Sequence, residues 1–255
     1  AAPDLFRRLG AEVEVVNAEP DGMNINLNCG ATHPEFLGER TRGRIGLSFD
    51  GDADRLIAVD EDGEIVDGDV LMAIFARHLK EQGKLKRDLV VATVMSNLGF
   101  RKAMQDLDIE MIATRVGDRY VLEEMRRTRA VLGGEQSGHI NLSDRATGDG
   151  LRAALQLASV KASTGRELRE LRTGMRSYPQ ELQNITVPNK AGLDESAQIW
   201  DEVRDADERL HGVGRNLVRA SGTVPLVRVM VEALDEATAE ATASAVSAVV
   251  VEQLG

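Results

Sequence analysis

Leu89-Val90-Val91-Ala92-Thr93-Val94-Met95 is an uncharged run rich in β-branched residues, bounded by Asp88 on one side and Ser96-Asn97 on the other. That length and composition describe a strand buried on both faces. Downstream, residues 99–107 take helical spacing, 110–114 return to strand, 118–129 are helical again, and 130–132 form a short strand. Upstream, Val70 with Ile74 and Leu71 with Phe75 repeat at four-residue spacing, which predicts a helix from Asp69. Before it, 56–59 and 64–66 flank Glu61-Asp62-Gly63, a hairpin turn signal. Ile45, Leu47 and Phe49 alternate as a strand over 44–50, while 1–10 read as a helix, 12–16 as a strand and 21–33 as a glycine- and asparagine-rich loop. A helix over 149–163 shows Leu151, Leu155 and Ala158 on its apolar face. Strands alternating with helices predict a parallel or mixed sheet covered on both faces.

Tyr178-Pro179 interrupts this pattern, and the remainder differs in character. A strand over 181–187, a helix from Ser196, strands over 216–219 and 226–232 and an alanine-rich helix over 236–254 make a small α+β module. The expected fold is therefore consecutive mixed α/β domains followed by a small α+β C-terminal domain. Its expected boundaries are 1–67, 68–175 and 176–255.

The 31 basic and 42 acidic residues leave a formal charge of −11. Such a surface repels nucleic-acid phosphates and anionic membranes, so any phosphate site must be a local basic pocket. Neither nucleic acid nor membrane is expected as a partner. The single cysteine, Cys29, excludes an internal disulfide framework and fits a reducing compartment, so a cytoplasmic location is expected.

Asp50-Gly51-Asp52-Ala53-Asp54-Arg55 places three carboxylates at alternate positions directly after an apolar strand. Three converging aspartates call for a divalent cation to cancel their repulsion, and an all-oxygen set favours Mg²⁺. An EF-hand is excluded although Glu61 stands at the twelfth position, because Arg55 occupies the place of the turn glycine and the flanks are strands. Gly133-Gly134-Glu135-Gln136-Ser137-Gly138-His139 follows a strand. It is not a nucleophile elbow, since Glu135 stands where that turn needs glycine. Glu135 and Ser137 suit vicinal hydroxyls and His139 a proton, though by itself the segment reads equally as a glycine-rich turn. Arg219-Ala220-Ser221-Gly222-Thr223, with Arg228 beyond it, offers the forks, hydroxyls and glycine amides that a phosphate monoester requires, or else a surface turn. In Val116-Gly117-Asp118-Arg119-Tyr120-Val121, Asp118 reads as a helix N-cap.

These four motifs, in this order, resemble the α-D-phosphohexomutase superfamily over essentially the whole chain. The resemblance implies that Asp50, Asp52 and Asp54 ligate Mg²⁺ and that Arg55 and His139 take catalytic roles. It implies substrate contacts from Glu135, Ser137, Arg119 and Asp149, and a phosphate clamp of Arg219, Ser221, Gly222, Thr223 and Arg228. Val116–Val121 and Met95-Ser96-Asn97-Leu98-Gly99 resemble the phosphoglucosamine mutase branch. That branch implies interconversion of glucosamine 6-phosphate and glucosamine 1-phosphate through a bisphosphate, with a homodimer compatible. Phosphomannomutase/phosphoglucomutase specificity is the alternative within the family, and a non-catalytic phosphosugar-binding derivative is the alternative outside enzymes.

The family's phosphoserine lies in a Thr-Ala-Ser-His-Asn-Pro-like loop of its first domain, and no such loop occurs here; Ala31-Thr32-His33-Pro34 lacks the serine. The expectation is a chain that begins inside the second domain and is inactive by itself. The stretch from Cys29 to Arg44 is also short for the family's helix there. Val224 stands where the family usually carries glutamate, which predicts a less ordered phosphate loop.

Overall fold

The computed structural model describes residues 1–142, 147–222 and 224–255. Along the chain run α1 (Ala2–Arg8), α2 (Glu35–Gly38), β1 (Gly46–Phe49), β2 (Leu56–Val59), β3 (Ile65–Val66) and α3 (Gly68–Glu81). Then come β4 (Leu89–Thr93), α4 (Leu98–Asp106), β5 (Glu110–Thr114), α5 (Asp118–Thr128), β6 (Leu132–Gly134) and β7 (Ile140–Leu142). The last are α6 (Gly150–Thr164), α7 (Leu168–Leu171), β8 (Gln180–Thr186), α8 (Ala197–Arg209), β9 (Arg215–Ala220), β10 (Leu226–Glu232) and α9 (Glu236–Leu254). They form two compact units: Ala1–Ser96 with Phe100–Arg176, and Asn97–Gly99 with Ser177–Gly255.

In the first unit, β1-β2-β3 is an antiparallel meander, and β5-β4-β6-β7 is a mixed sheet. β4 runs parallel to β5 and β6, while β7 returns antiparallel to β6. Leu89–Thr93 of the apolar run lie within this sheet as β4 and are buried throughout, whereas Val94 and Met95, half-buried, fall beyond the strand's end. Val90 and Ala92 face a core with Leu71, Phe75, Phe100 and Leu157, while Leu89 and Val91 face Val121 and Met125 of α5. Removing each large apolar side chain of this kind from water contributes about 1.5–3 kcal/mol, so two-sided burial makes β4 the anchor of the unit.

Two strand expectations need correction. Residues 12–16 form no strand; Val15 and Val16 are exposed, and Arg44 pairs with Glu12 and Glu14 instead. An alternating apolar stretch becomes a strand only where a neighbour completes its backbone hydrogen bonds, and none of the described strands lies beside it. The strand expected over 130–132 starts at Leu132 and continues through Gly133 and Gly134, paired with Asn141 and Ile140 of β7.

The β2–β3 turn is a carboxylate clamp. Wholly buried Asp60 accepts from the Nε of Arg172 at 2.5 Å, and Asp62 accepts from Arg169 at 2.9 Å. Glu61 takes Lys161 at 2.6 Å, the backbone N–H of Leu168 at 3.1 Å and that of Arg169 at 3.0 Å. It thereby satisfies amide donors at the start of α7 from more than a hundred residues away. Burial pushes its carboxyl up, but Lys161 and the two amides outweigh this and hold it down at about 2.

In the second unit the antiparallel sheet has the order β8-β10-β9. Val218, Val227, Val229 and Val231 pack against Ile199 and Val203 of α8 and Ala243, Val246 and Val250 of α9. Strand alternation therefore turns Arg219 and Arg228 to the sheet's other face. Buried Glu232 is tied to Arg215 at 2.6 Å and to the N–H of Leu98 at 2.8 Å. No described helix is long and apolar enough to cross a membrane.

A carboxyl whose folded value lies below its unfolded 4.5 stabilises above that pH and loses its contribution as pH falls toward 2. Glu61→Gln is expected to cost about 2–3 kcal/mol at neutral pH. In urea unfolding, the gap from the unsubstituted chain should close between pH 4.5 and pH 2; a gap of constant size would refute the assignment.

Candidate functional site

The β1–β2 connection is short because β1 and β2 pair down to Phe49↔Leu56. Asp50 to Arg55 must turn the chain within that span, and Ala53 adopts a left-handed φ of 59° to do so. The carbonyl of Asp50 accepts the Ala53 N–H at 3.0 Å, and its carboxylate accepts the Arg55 N–H at 3.2 Å. As a result Asp50, Asp52 and Asp54 each direct an oxygen into one space, all within 4.8 Å of one another. The Arg55 Nε lies 3.5 Å from Asp50 and 3.8 Å from Asp54. Oδ1 of Asp54 is buried and has no hydrogen-bond partner among the described residues. Burial, the nearness of the Asp50 carboxylate and the charges of Asp50 and Asp52 push the Asp54 carboxyl up against the opposing pull of His139. An anionic cluster that crowds its own charge, with one buried oxygen unsatisfied, fits a hard divalent cation.

β6 and β7 make a hairpin, and Glu135 to His139 are its loop. The loop is fastened by backbone bonds to β2 and α3 and closed by one of its own. The N–H of Leu56 donates to Gly138 O at 3.0 Å, that of Gly68 donates to Gln136 O at 3.0 Å, and that of Glu135 donates to His139 O at 3.0 Å. Contact is so close that a Cβ at Gly68 would lie 2.1 Å from Glu135 O, and one at Gly138, where φ is +92°, would lie 2.3 Å from Leu56 O. The side chain of Gln136 also donates to Asp67 at 3.1 Å, and Asp67 caps α3 through the N–H of Val70. Burial raises the Asp67 carboxyl despite those bonds.

His139 joins this loop to the aspartates. Its Nδ1 lies 3.1 Å from Asp54 and its Nε2 2.9 Å from Asp118, whose carboxylate also accepts from Asn141 at 2.7 Å. The Gly148 N–H also points at Nε2, at 3.1 Å. The doubly protonated ring suits the two carboxylates, and the neutral Nδ1–H tautomer suits the Gly148 donor; in both, Nδ1–H faces Asp54. Asp118 is thus not the N-cap the sequence suggested. Gly117 holds that position without a side-chain bond, and Asp118, the first helical residue, turns toward His139.

Glu135 accepts the Gly117 N–H at 2.8 Å through one oxygen, and no hydrogen bond holds its other oxygen among the described residues. Ser137 is exposed at the loop tip. Asp149 caps α6 through the N–H of Arg152, and the next residue, Gly150, donates to Ala53 O at 3.0 Å, which sets Asp149 beside the aspartate loop. Arg119 is exposed and pairs along its own helix with Glu123 at 2.8 Å. The first unit therefore gathers Asp50, Asp52, Asp54, Arg55, Glu135, His139 and Asp149. Asn141 and Gly117 belong to the same network and were not singled out from the sequence, which offered Asp118 only as a helix cap; the alternation of Ile140-Asn141-Leu142 is the signal that leads to Asn141.

The remaining candidates lie in the second unit. Arg219 and Arg228 are directly opposed across β9 and β10. Like charges at such a position cost up to about 1 kcal/mol, and no carboxylate among the described residues pairs with either. Burial and the neighbouring Arg228 lower the Arg219 guanidinium, and the Nε of Arg228 is buried without a hydrogen bond among the described residues. Ser221 is buried and its Oγ accepts the Val224 N–H at 3.4 Å; Gly222 is exposed beside it. Thr223 lies outside the described residues. Two unpaired guanidinium groups next to a hydroxyl and a glycine amide are complementary to a dianionic oxyanion.

Two family models match the chain: phosphoglucomutase/phosphomannomutase, alpha/beta/alpha domain III, over residues 67–178, and the C-terminal domain of the same family over 182–249. The chain belongs to the α-D-phosphohexomutase superfamily. Among its relatives, the phosphoglucosamine mutase of Clostridium novyi is 54% identical over 90% of this chain and 52% of its own length. That of Staphylococcus aureus strain JH9 is 49% identical over 100% of this chain and 57% of its own. The chain thus spans little more than half the length of these phosphohexomutases. The N-acetylphosphoglucosamine mutase of Aspergillus fumigatus, crystallised with GlcNAc-6P and magnesium, shares the fold with a TM-score of 0.81 at 19% identity, covering 100% of this chain and 59% of that one. A phosphoglucomutase/phosphomannomutase family protein from Burkholderia thailandensis aligns with a TM-score of 0.77 at 24% identity, covering 99% of this chain and 57% of its own.

Gly138→Ala forces a side chain onto a backbone carbonyl at a positive φ. It is expected to destabilise the first unit by roughly 2–4 kcal/mol and to shift the His139 ring resonances in NMR spectra. Unchanged stability and unchanged ring signals would show that the loop is not fastened through this contact.

Proposed function

We propose that this phosphohexomutase chain supplies the metal-binding, sugar-binding and distal phosphate-binding parts of a phosphoglucosamine mutase. The carrying observation is the convergence of Asp50, Asp52 and Asp54 on one space while Asp54 is tied through His139 to the loop that presents Glu135 and Ser137. The 49–54% identity to phosphoglucosamine mutases supports the hexosamine phosphates as substrates. In this reading residues 1–67, 68–175 and 176–255 are three domains with separate tasks.

The three aspartates hold Mg²⁺, which when bound offsets charge on a phosphoryl group. Arg55 holds the carboxylates of Asp50 and Asp54 in place and presents a cation beside them. Glu135 accepts hydrogen bonds from a pair of sugar hydroxyls through its free oxygen, and Ser137 reaches the same edge of the ring from the loop tip. His139 holds a proton at Nδ1 against Asp54 and positions the loop. Arg219, Arg228, Ser221, Gly222 and Thr223 clamp the phosphate that is not reacting, so that either end of a bisphosphate is presented in turn. Arg119 and Asp149 complete the substrate contacts. The protein acts in the cytoplasm, and a homodimer is compatible with this scheme.

The complete gene product, assayed with glucosamine 6-phosphate and Mg²⁺, should form glucosamine 1-phosphate, whereas the 255 residues should bind without turnover. Asp52→Asn should weaken Mg²⁺ binding to the 255-residue chain, measured by calorimetry, by roughly tenfold or more. Equal Mg²⁺ affinity in that variant would remove the metal assignment, and turnover of hexose phosphates but not of hexosamine phosphates would remove the substrate assignment.

A further inference from the structure

One cation near the phosphate loop is absorbed by none of the roles above. Lys190 opens a short 3-10 turn, Lys190–Leu193, that Asn189 caps through the N–H of Ala191. From there its ammonium donates to Ser221 O at 2.6 Å and to Val224 O at 3.4 Å, the two flanks of the loop between β9 and β10. No carboxylate among the described residues pairs with it. Lys190 and Ser221 are more than thirty residues apart in sequence, so nothing in the local pattern links them.

The contact has a directional consequence. In a trans peptide the C=O and the next N–H point opposite ways, and the described chain contains no cis bond. Fixing Ser221 O on Lys190 therefore aims the Gly222 N–H away from the lysine. The other held carbonyl, Val224 O, precedes Pro225, which has no N–H to aim. Because Ser221 Oγ already accepts the Val224 N–H, its own hydrogen remains available to donate. Resting on the phosphate-clamp reading of Arg219 and Arg228, we propose that Lys190 is the positioning residue of the clamp. It locks the Ser221–Gly222 peptide so that its amide donates to the phosphate monoester, and it adds a third positive charge behind the loop.

The test is glucosamine 6-phosphate binding to the 255-residue chain by calorimetry, with the Gly222 amide followed by ¹⁵N NMR. Lys190→Gln removes the charge but keeps length and a donor, and should bind roughly tenfold more weakly. Lys190→Arg should stay within about threefold. The Gly222 amide of the unsubstituted chain should shift on binding, and in Lys190→Gln it should shift much less. A merely structural role would lower the melting point without separating the glutamine variant from the arginine variant in this signal. The control is the paired variant Arg219→Gln with Arg228→Gln. If it binds like the unsubstituted chain, the clamp reading falls and this proposal with it. If it loses binding while Lys190→Gln keeps full affinity, the proposal alone falls. A Gly222 amide that ligand leaves unmoved in the unsubstituted chain also overturns it, whether or not the lysine variants fold.

Discussion

The exact fit of the β6–β7 loop against β2 and α3 is the constraint on which the rest of the first unit's site depends. Leu56 to Gly138 and Gly68 to Gln136 are ordinary backbone hydrogen bonds, each worth about 1 kcal/mol net. Their importance is geometric. They bring main chain so near to main chain that only hydrogen fits at Gly68 and Gly138, and they set His139 within reach of both Asp54 and Asp118. Had the loop stood off by the width of a methyl group, the aspartates and the hairpin would be two unrelated polar turns.

The second unit solves a different problem by different means. Its guanidinium pair is held by strand register, with Arg219 facing Arg228 because Val218 and Val229 must face the helices. The sheet thus stores a small electrostatic cost that an anion relieves. Buried Glu232 shows the contrasting arrangement, since its charge is answered inside the fold by Arg215. The unanswered pair is the one that carries the proposed phosphate clamp.

The main elements were legible because their signals are local. The run around Val91, the four-residue spacing of Val70 with Ile74 and the alternation of Val227, Val229 and Val231 each determine burial without knowledge of a partner. The aspartate motif was legible because three carboxylates fall within one short connection after a strand, although the turn at Ala53 that makes them converge was not. What escaped depended on distant neighbours. Val13 to Val16 has strand composition but no described strand beside it, and Asp118, which reads as an N-cap, is the first helical residue and turns to the His139 ring beside β7. Glu61 stands in the turn its sequence predicts and in addition answers an amide of residue 168, which no local pattern reveals. Lys190 lay in an unremarked Pro-Asn-Lys stretch. Register and long-range hydrogen bonding are not encoded in periodicity, so a single sequence leaves them open.

The paired arginines also bear on how quickly a ligand is captured. With a formal charge of −11, the molecule as a whole pushes a phosphate dianion away. At physiological ionic strength, however, that repulsion fades beyond roughly 8 Å, so an approaching sugar phosphate feels mainly the charges nearest to it. Over the outer face of the second unit's sheet those are Arg219 and Arg228. Capture by the proposed clamp would therefore be governed by a short-range field whose sign is opposite to that of the whole protein. Added salt should consequently slow association at this face even though it shields an acidic molecule.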